Sequence, residues 1–104
     1  MSKFSLFFGA ATALCTPFEQ NGELDLESFR KLLRFQLDEG IDALLVCGTT
    51  GEAPTLSDDE AVTLLCETVK TADHSVPVIM GVGSNCTAHA AEKARRAEKN
   101  GADA

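Results

Sequence analysis

Gly40-Ile41-Asp42-Ala43-Leu44-Leu45-Val46-Cys47-Gly48-Thr49-Thr50-Gly51-Glu52 carries the architecture of this chain. From Ile41 to Cys47 the run is almost continuously apolar, which suits a strand buried on both faces, as in a parallel sheet. Gly40 before it stands where a helix ends in a left-handed residue. Gly48 to Glu52 after it is a loop whose two glycines permit tight turns and close approach of a ligand. The segment therefore reads as helix end, buried strand and glycine-bracketed loop.

The flanking sequence repeats this plan. Upstream, Asp25 is a helix N-cap, with Leu24 and Phe29 at staple positions. Phe29, Leu32, Leu33 and Leu37 form the stripe of an amphipathic helix that runs to Gly40. Ala10 to Thr16 is a short apolar strand stopped by Pro17, and Asn21-Gly22 marks a turn. Downstream, Ser57 and Glu60 make a capping box, with Asp58 and Asp59 in the positive first turn. Val62, Leu65, Cys66 and Val69 are the expected buried stripe of this second helix. Val76 to Val82 reads as a third strand, and Thr87 as the cap of a third helix with a small-residue face of Ala90, Ala91, Ala94 and Ala97. The order β-α-β-α-β-α implies parallel crossovers. Gly101-Ala102-Asp103-Ala104 nearly respells Gly40-Ile41-Asp42-Ala43. It predicts the opening of a fourth strand, so that residues 1–104 form the N-terminal part of one larger domain, cut before that strand.

Composition narrows the function classes. A net charge of −7 opposes a nucleic-acid partner, because phosphate binding needs clustered Lys and Arg. Lys3 and the apolar Phe4 to Phe8 faintly suggest a leader, but Ser5 and Gly9 break the run short of the roughly 7–15 residues of a secretory core. No run approaches the ~20 apolar residues of a membrane span. Cys15, Cys47, Cys66 and Cys86 lack metal-ligand spacing and are expected to be reduced, small packing residues. His74 and His89 lie far apart, so no metal is expected.

Ligands of parallel α/β folds gather at the C-terminal ends of the strands. Gly48-Thr49-Thr50-Gly51-Glu52 offers two hydroxyls and several N–H groups that can hold a carboxylate or pass a proton. The same string is also compatible with a tight βα turn whose threonines bond their own backbone. Gly81-Val82-Gly83-Ser84-Asn85-Cys86 begins like a dinucleotide fingerprint, but Cys86 replaces the third glycine. A close-packed strand end is the better reading there. No lysine falls at a strand end: Lys31, Lys70, Lys93 and Lys99 lie in or beside helices.

Three strings, Ala13-Leu14-Cys15-Thr16-Pro17-Phe18, GTTGEAPTLS at residues 48–57 and VPVIMGVGSNCT at residues 76–87, together resemble the dihydrodipicolinate synthase and N-acetylneuraminate lyase superfamily. The resemblance spans essentially the whole chain. Thr49 at the first threonine of the motif favours the synthase branch, since sialic-acid lyases usually carry Ser there. It implies a (β/α)8 TIM barrel, of which this chain supplies about the first three βα units. It implies a lyase of the cytoplasm, a homotetramer when full length, needing no cofactor. Such enzymes hold pyruvate as a Schiff base on a lysine and condense it with aspartate semialdehyde, towards diaminopimelate and lysine. Residue by residue, Thr49 would serve the proton relay, Thr50 would bind the pyruvate carboxylate, and Ala13, Gly48 and Gly51 would shape the pocket. The family's lysine and relay tyrosines lie beyond Ala104, and this sequence contains no Tyr. The fragment alone is therefore expected to be inactive. Feedback-sensitive members carry Glu where His89 stands, and some carry His where Asp58 and Ala61 stand, so the resemblance does not extend to lysine inhibition. Two alternatives stay open: another pyruvate-dependent aldolase, acting on sialic or sugar acids, and a non-catalytic anion-binding βα module or fragment.

Overall fold

Asp25 begins the first helix by chemistry local to four residues. Its carboxylate accepts hydrogen bonds from the Ser28 amide at 3.0 Å and the Ser28 hydroxyl at 2.7 Å, replacing partners that a helix start lacks. In the computed structural model, which describes residues 9–48, 56–82 and 87–104, this helix, α1, runs Leu26–Asp38. It presents Phe29 and Leu33, both fully buried, to the interior. Each such side chain contributes roughly 1.5–3 kcal/mol through burial.

The strands are β1 (Ala11–Ala13), β2 (Ala43–Val46) and β3 (Val78–Met80), parallel in the order β1-β2-β3. All are shorter than the apolar runs of the sequence. The ladder ends early because Cys47 turns to a φ of 60° after β2, and Pro77 offers only its carbonyl, to Leu44 N–H, before β3. Leu44 and Val46 pair with Val78 and Met80, and these four side chains lie buried under the helices. Alternation puts Ala13, Leu45 and Ile79 of the same ladder on the opposite, more open face. Three βα units with helices on one face and an apolar layer on the other are consecutive units of a (β/α)8 barrel.

Helix α2 (Asp58–Ala72) carries the full capping box. Ser57 Oγ accepts from Glu60 N–H at 3.1 Å, and Glu60 accepts from Ser57 N–H at 2.9 Å. Its buried face is Ala61, Leu64, Leu65, Thr68 and Ala72, not the stripe of Val62, Leu65, Cys66 and Val69 that the sequence suggests. Thr68 made that face hard to see. Its hydroxyl donates to the Leu64 carbonyl at 2.8 Å, so a polar residue sits fully buried without cost in lost hydrogen bonds. Val69 instead flanks the core and packs against Gly101, and Cys66 is exposed.

Helix α3 spans Thr87–Lys99, so Thr87 is its first helical residue rather than the residue before it. Of the expected alanine face only Ala97 is buried and Ala90 half-buried; Ala91 and Ala94 are exposed. Among the described residues α3 packs chiefly on α2, which covers one side of it. The Asp58–His89 contact at 3.1 Å and the Asp59–Arg96 salt bridge at 3.2 Å line that seam.

Both α1 and α3 end in the same way. Gly40, at φ 81°, donates to the Leu37 carbonyl, and Ile41 N–H reaches Gln36. Gly101, at φ 102°, donates to Glu98, and Ala102 N–H reaches Ala97. This is the Schellman pattern, with glycine where a side chain would be strained. The next aspartate also repeats. Asp42 accepts from Ala10 N–H at 2.9 Å, and Asp103 accepts from Val78 N–H at 2.9 Å. Each backbone is tied in return, Asp42 N–H to the Ala10 carbonyl and Asp103 N–H to Val78. Met80 N–H then donates to the Ala104 carbonyl at 2.9 Å, so residues 103–104 lie along β3 as a further strand would. The respelled motif thus does the same structural job twice.

Candidate active site

The three strands point their C-terminal ends the same way because they are parallel, so Ala13, Gly48 and Gly81 belong to one end of the sheet. Ala13 pairs with Leu45 and is exposed on the open face. Leu14 continues the ladder through its N–H to the Leu45 carbonyl at 2.9 Å, and is buried. Thr16, just past the strand, is buried as well. Gly48 is half-buried beyond the end of β2. Thr49, Thr50 and Gly51 lie outside the described residues, as does the 83–86 loop with Asn85 and Cys86. Two of the five candidate residues, Ala13 and Gly48, are therefore placed, both at the expected end of the sheet.

Two residues of this end had not been singled out as functional. Cys47 is buried, with its thiol 3.9 Å from the Ala61 carbonyl of α2. Burial pushes that thiol up to about 11, which keeps it a neutral packing group rather than a nucleophile. Its φ of 60° is uncommon for a residue bearing a side chain. Gly81 lies directly against it. A β-carbon built on Gly81 would overlap the Cys47 carbonyl oxygen, and would stand 2.9 Å from the carbonyl carbon and 3.2 Å from Gly48 Cα. Gly81 N–H also donates to the Val46 carbonyl at 2.9 Å. The sequence signal for Gly81 was a glycine at a strand end, which marks close backbone approach; the identity of its neighbour was not readable.

The cysteines divide by environment. Cys15 and Cys66 are free and exposed, and only Cys47 among the three described is a core residue. This corrects the expectation of uniform packing roles. Cys66 faces outward because the buried face of α2 is set by Leu64, Leu65 and Thr68. Lys31, Lys70, Lys93 and Lys99 all sit on helices, none at the end of a described strand. Among the described residues no group of three His, Cys, Asp or Glu gathers to hold a metal, and no helix is long and apolar enough to cross a membrane.

Residues 6–104 match the model of the dihydrodipicolinate synthetase family. The 4-hydroxy-tetrahydrodipicolinate synthase of Thermotoga neapolitana is 51% identical over 98 residues, which cover 94% of this chain and 33% of that protein. The enzyme of the same name from Acetivibrio thermocellus is 46% identical over 99 residues, covering 95% of this chain and 34% of the relative. Among solved structures, the dihydrodipicolinate synthase of Thermotoga maritima superposes with a TM-score of 0.92 at 47% identity, over 95% of this chain and 33% of that one. The Acinetobacter baumannii synthase, solved with pyruvate, gives a TM-score of 0.91 at 34% identity over 95% of this chain and 34% of its own. The chain spans about a third of the length of the relatives it matches.

Proposed function

Because the chain belongs to the dihydrodipicolinate synthetase family, we propose that the whole protein carrying it is a 4-hydroxy-tetrahydrodipicolinate synthase, a pyruvate-dependent lyase. Residues 1–104 are then the N-terminal part of a single barrel domain. The observation that carries this reading is the 51% identity to a synthase of that name, together with Gly48 placed at the C-terminal end of a parallel sheet. In this reading pyruvate forms a Schiff base with a lysine outside these residues and attacks aspartate semialdehyde, in the biosynthesis of diaminopimelate and lysine.

The contribution of this chain is to bind and to relay. Thr50 holds the pyruvate carboxylate through its hydroxyl and N–H, which orients the carbon that attacks. Thr49 passes protons between the reacting centre and partner hydroxyls, away from bulk water. Ala13, Gly48 and Gly51 leave room for the substrate beside the backbone. The whole protein works in the cytoplasm as a homotetramer. A monomeric variant of a related synthase superposes on this chain with a TM-score of 0.91.

Borohydride treatment of the whole protein with pyruvate tests the mechanism. A stable mass increase on one lysine is the expected result, and a protein left unmodified sinks it. Thr49→Val should lower kcat by about 10²-fold, the lower range for a lost acid–base partner. Thr50→Ala should act mainly on KM for pyruvate. If trapping succeeds but a panel of aldehydes reacts faster than aspartate semialdehyde, the protein is an aldolase of the same class with another partner.

A further inference from the structure

We propose that Gly81 is a positioning residue for pyruvate binding: its bare Cα at the end of β3 seats the Cys47–Gly48 peptide from which Thr49 and Thr50 follow. The proposal rests on the pyruvate-binding role given above to Thr50. Three observations converge on the contact. A β-carbon on Gly81 would overlap the Cys47 carbonyl oxygen, so only glycine allows the peptide to lie there. Gly81 N–H holds the Val46 carbonyl at 2.9 Å, fixing the last residue of β2 beside it. Cys47 meanwhile keeps a left-handed φ of 60°, with its side chain buried toward Ala61 of α2.

Together these fix the chain on both sides of the turn. The Cys47 side chain is anchored under α2, and its carbonyl is pressed onto β3. A left-handed residue that is not glycine or asparagine persists only where its surroundings over-determine it. Gly81 and the core under α2 are those surroundings. Thr50 lies two residues beyond Gly48, so relieving the overlap of a methyl with the Cys47 carbonyl shifts the root peptide by roughly 1 Å and displaces the residues that follow it. Misplacement of a binding group by about 1 Å can cost about 10²-fold in rate. Gly81 itself touches no substrate.

The test is made on the whole protein, with wild type first shown to be trapped by pyruvate and borohydride. Failure at that step removes the pyruvate reading itself. Where trapping succeeds, Gly81→Ala is expected to raise KM for pyruvate at least tenfold while KM for the aldehyde stays within twofold. An unchanged pyruvate KM in a folded Gly81→Ala protein overturns the proposal, as does an equal rise for both substrates. Should that variant not fold, Cys47→Val reads the same seat, because a β-branched side chain resists the left-handed φ of 60° and shifts the peptide from Gly81. A pyruvate KM raised at least threefold, with the aldehyde KM unchanged, supports the role; an unchanged pyruvate KM overturns it.

Discussion

Cys47 shows how environment outweighs residue type. Four cysteines share one chemistry in the sequence, yet of the three described only Cys47 is buried. Reactivity follows the thiolate fraction and access, so a maleimide should label Cys66 in the native protein and spare Cys47 until denaturant is added. Mass spectrometry of the labelled peptides checks this; rapid native labelling at Cys47 would contradict its packing under α2. Residue-scale legibility was uneven for the same reason. Asp25 and Ser57 were readable as caps, because a cap is satisfied by amides at most three residues away. Gly81 was readable as a tight place, but not as the seat of Cys47, since that contact joins two strand ends 34 positions apart (81 minus 47).

At the scale of elements, the order and the starts of α1 and α2 followed from capping and periodicity, while strand lengths, the start of α3 and the buried faces of α2 and α3 did not. The apolar runs around β2 and β3 are longer than their ladders because burial continues where pairing stops. The α2 face was misread by one position because Thr68, a polar letter, satisfies itself within the helix. Helices α1 and α2 are joined by a forked ion pair, Arg30 Nε to Glu67 Oε2 at 2.9 Å and Nη2 to Oε1 at 3.0 Å. The hydrogen bond from Arg30 holds the Glu67 carboxyl below its ordinary range. A depressed carboxyl stabilises the fold above its unfolded value and loses that contribution as pH falls through the folded value. Glu67→Gln should therefore lower Tm slightly at pH 7, and the difference from wild type should shrink as pH falls through the depressed value of the Glu67 carboxyl. Melting curves at several pH values check it; a gap that widened in acid would be the wrong sign. Asp103→Ala should leave the buried Val78 amide without its carboxylate and cost about 1–3 kcal/mol in the whole protein. Hydrogen exchange at Val78 would report it, with Asp103→Asn retaining most of the protection.

For the molecule as a whole, the alternation of elements made the parallel α/β class legible, and the barrel, with the open apolar face that three of its units leave, followed from the resemblance. Ala13, Leu45 and Ile79 form an apolar layer that the chain's own helices do not cover, because those helices pack on the other side of the sheet. Among the described residues the sheet also leaves its β1 edge unpaired, and only residues 103–104 pair along the far edge of β3. The 104-residue chain expressed alone should self-associate and bind a hydrophobic dye. Gel filtration and thermal melting check this, and a soluble monomer with one cooperative transition would overturn it.

The paired aspartates bear on how such a protein can be cut and rejoined. Asp42 and Asp103 stand 61 positions apart, each tying the opening of one strand to the strand before it. A crossover point between a helix and the next strand, at Gly40 or Gly101, would take amide and carboxylate from different parents. A crossover between Ala43 and Pro77 inherits both ties intact, each within one parent. Recombination libraries built from members of this family should then yield more folded chimaeras from joints between Ala43 and Pro77 than from joints at Gly40 or Gly101.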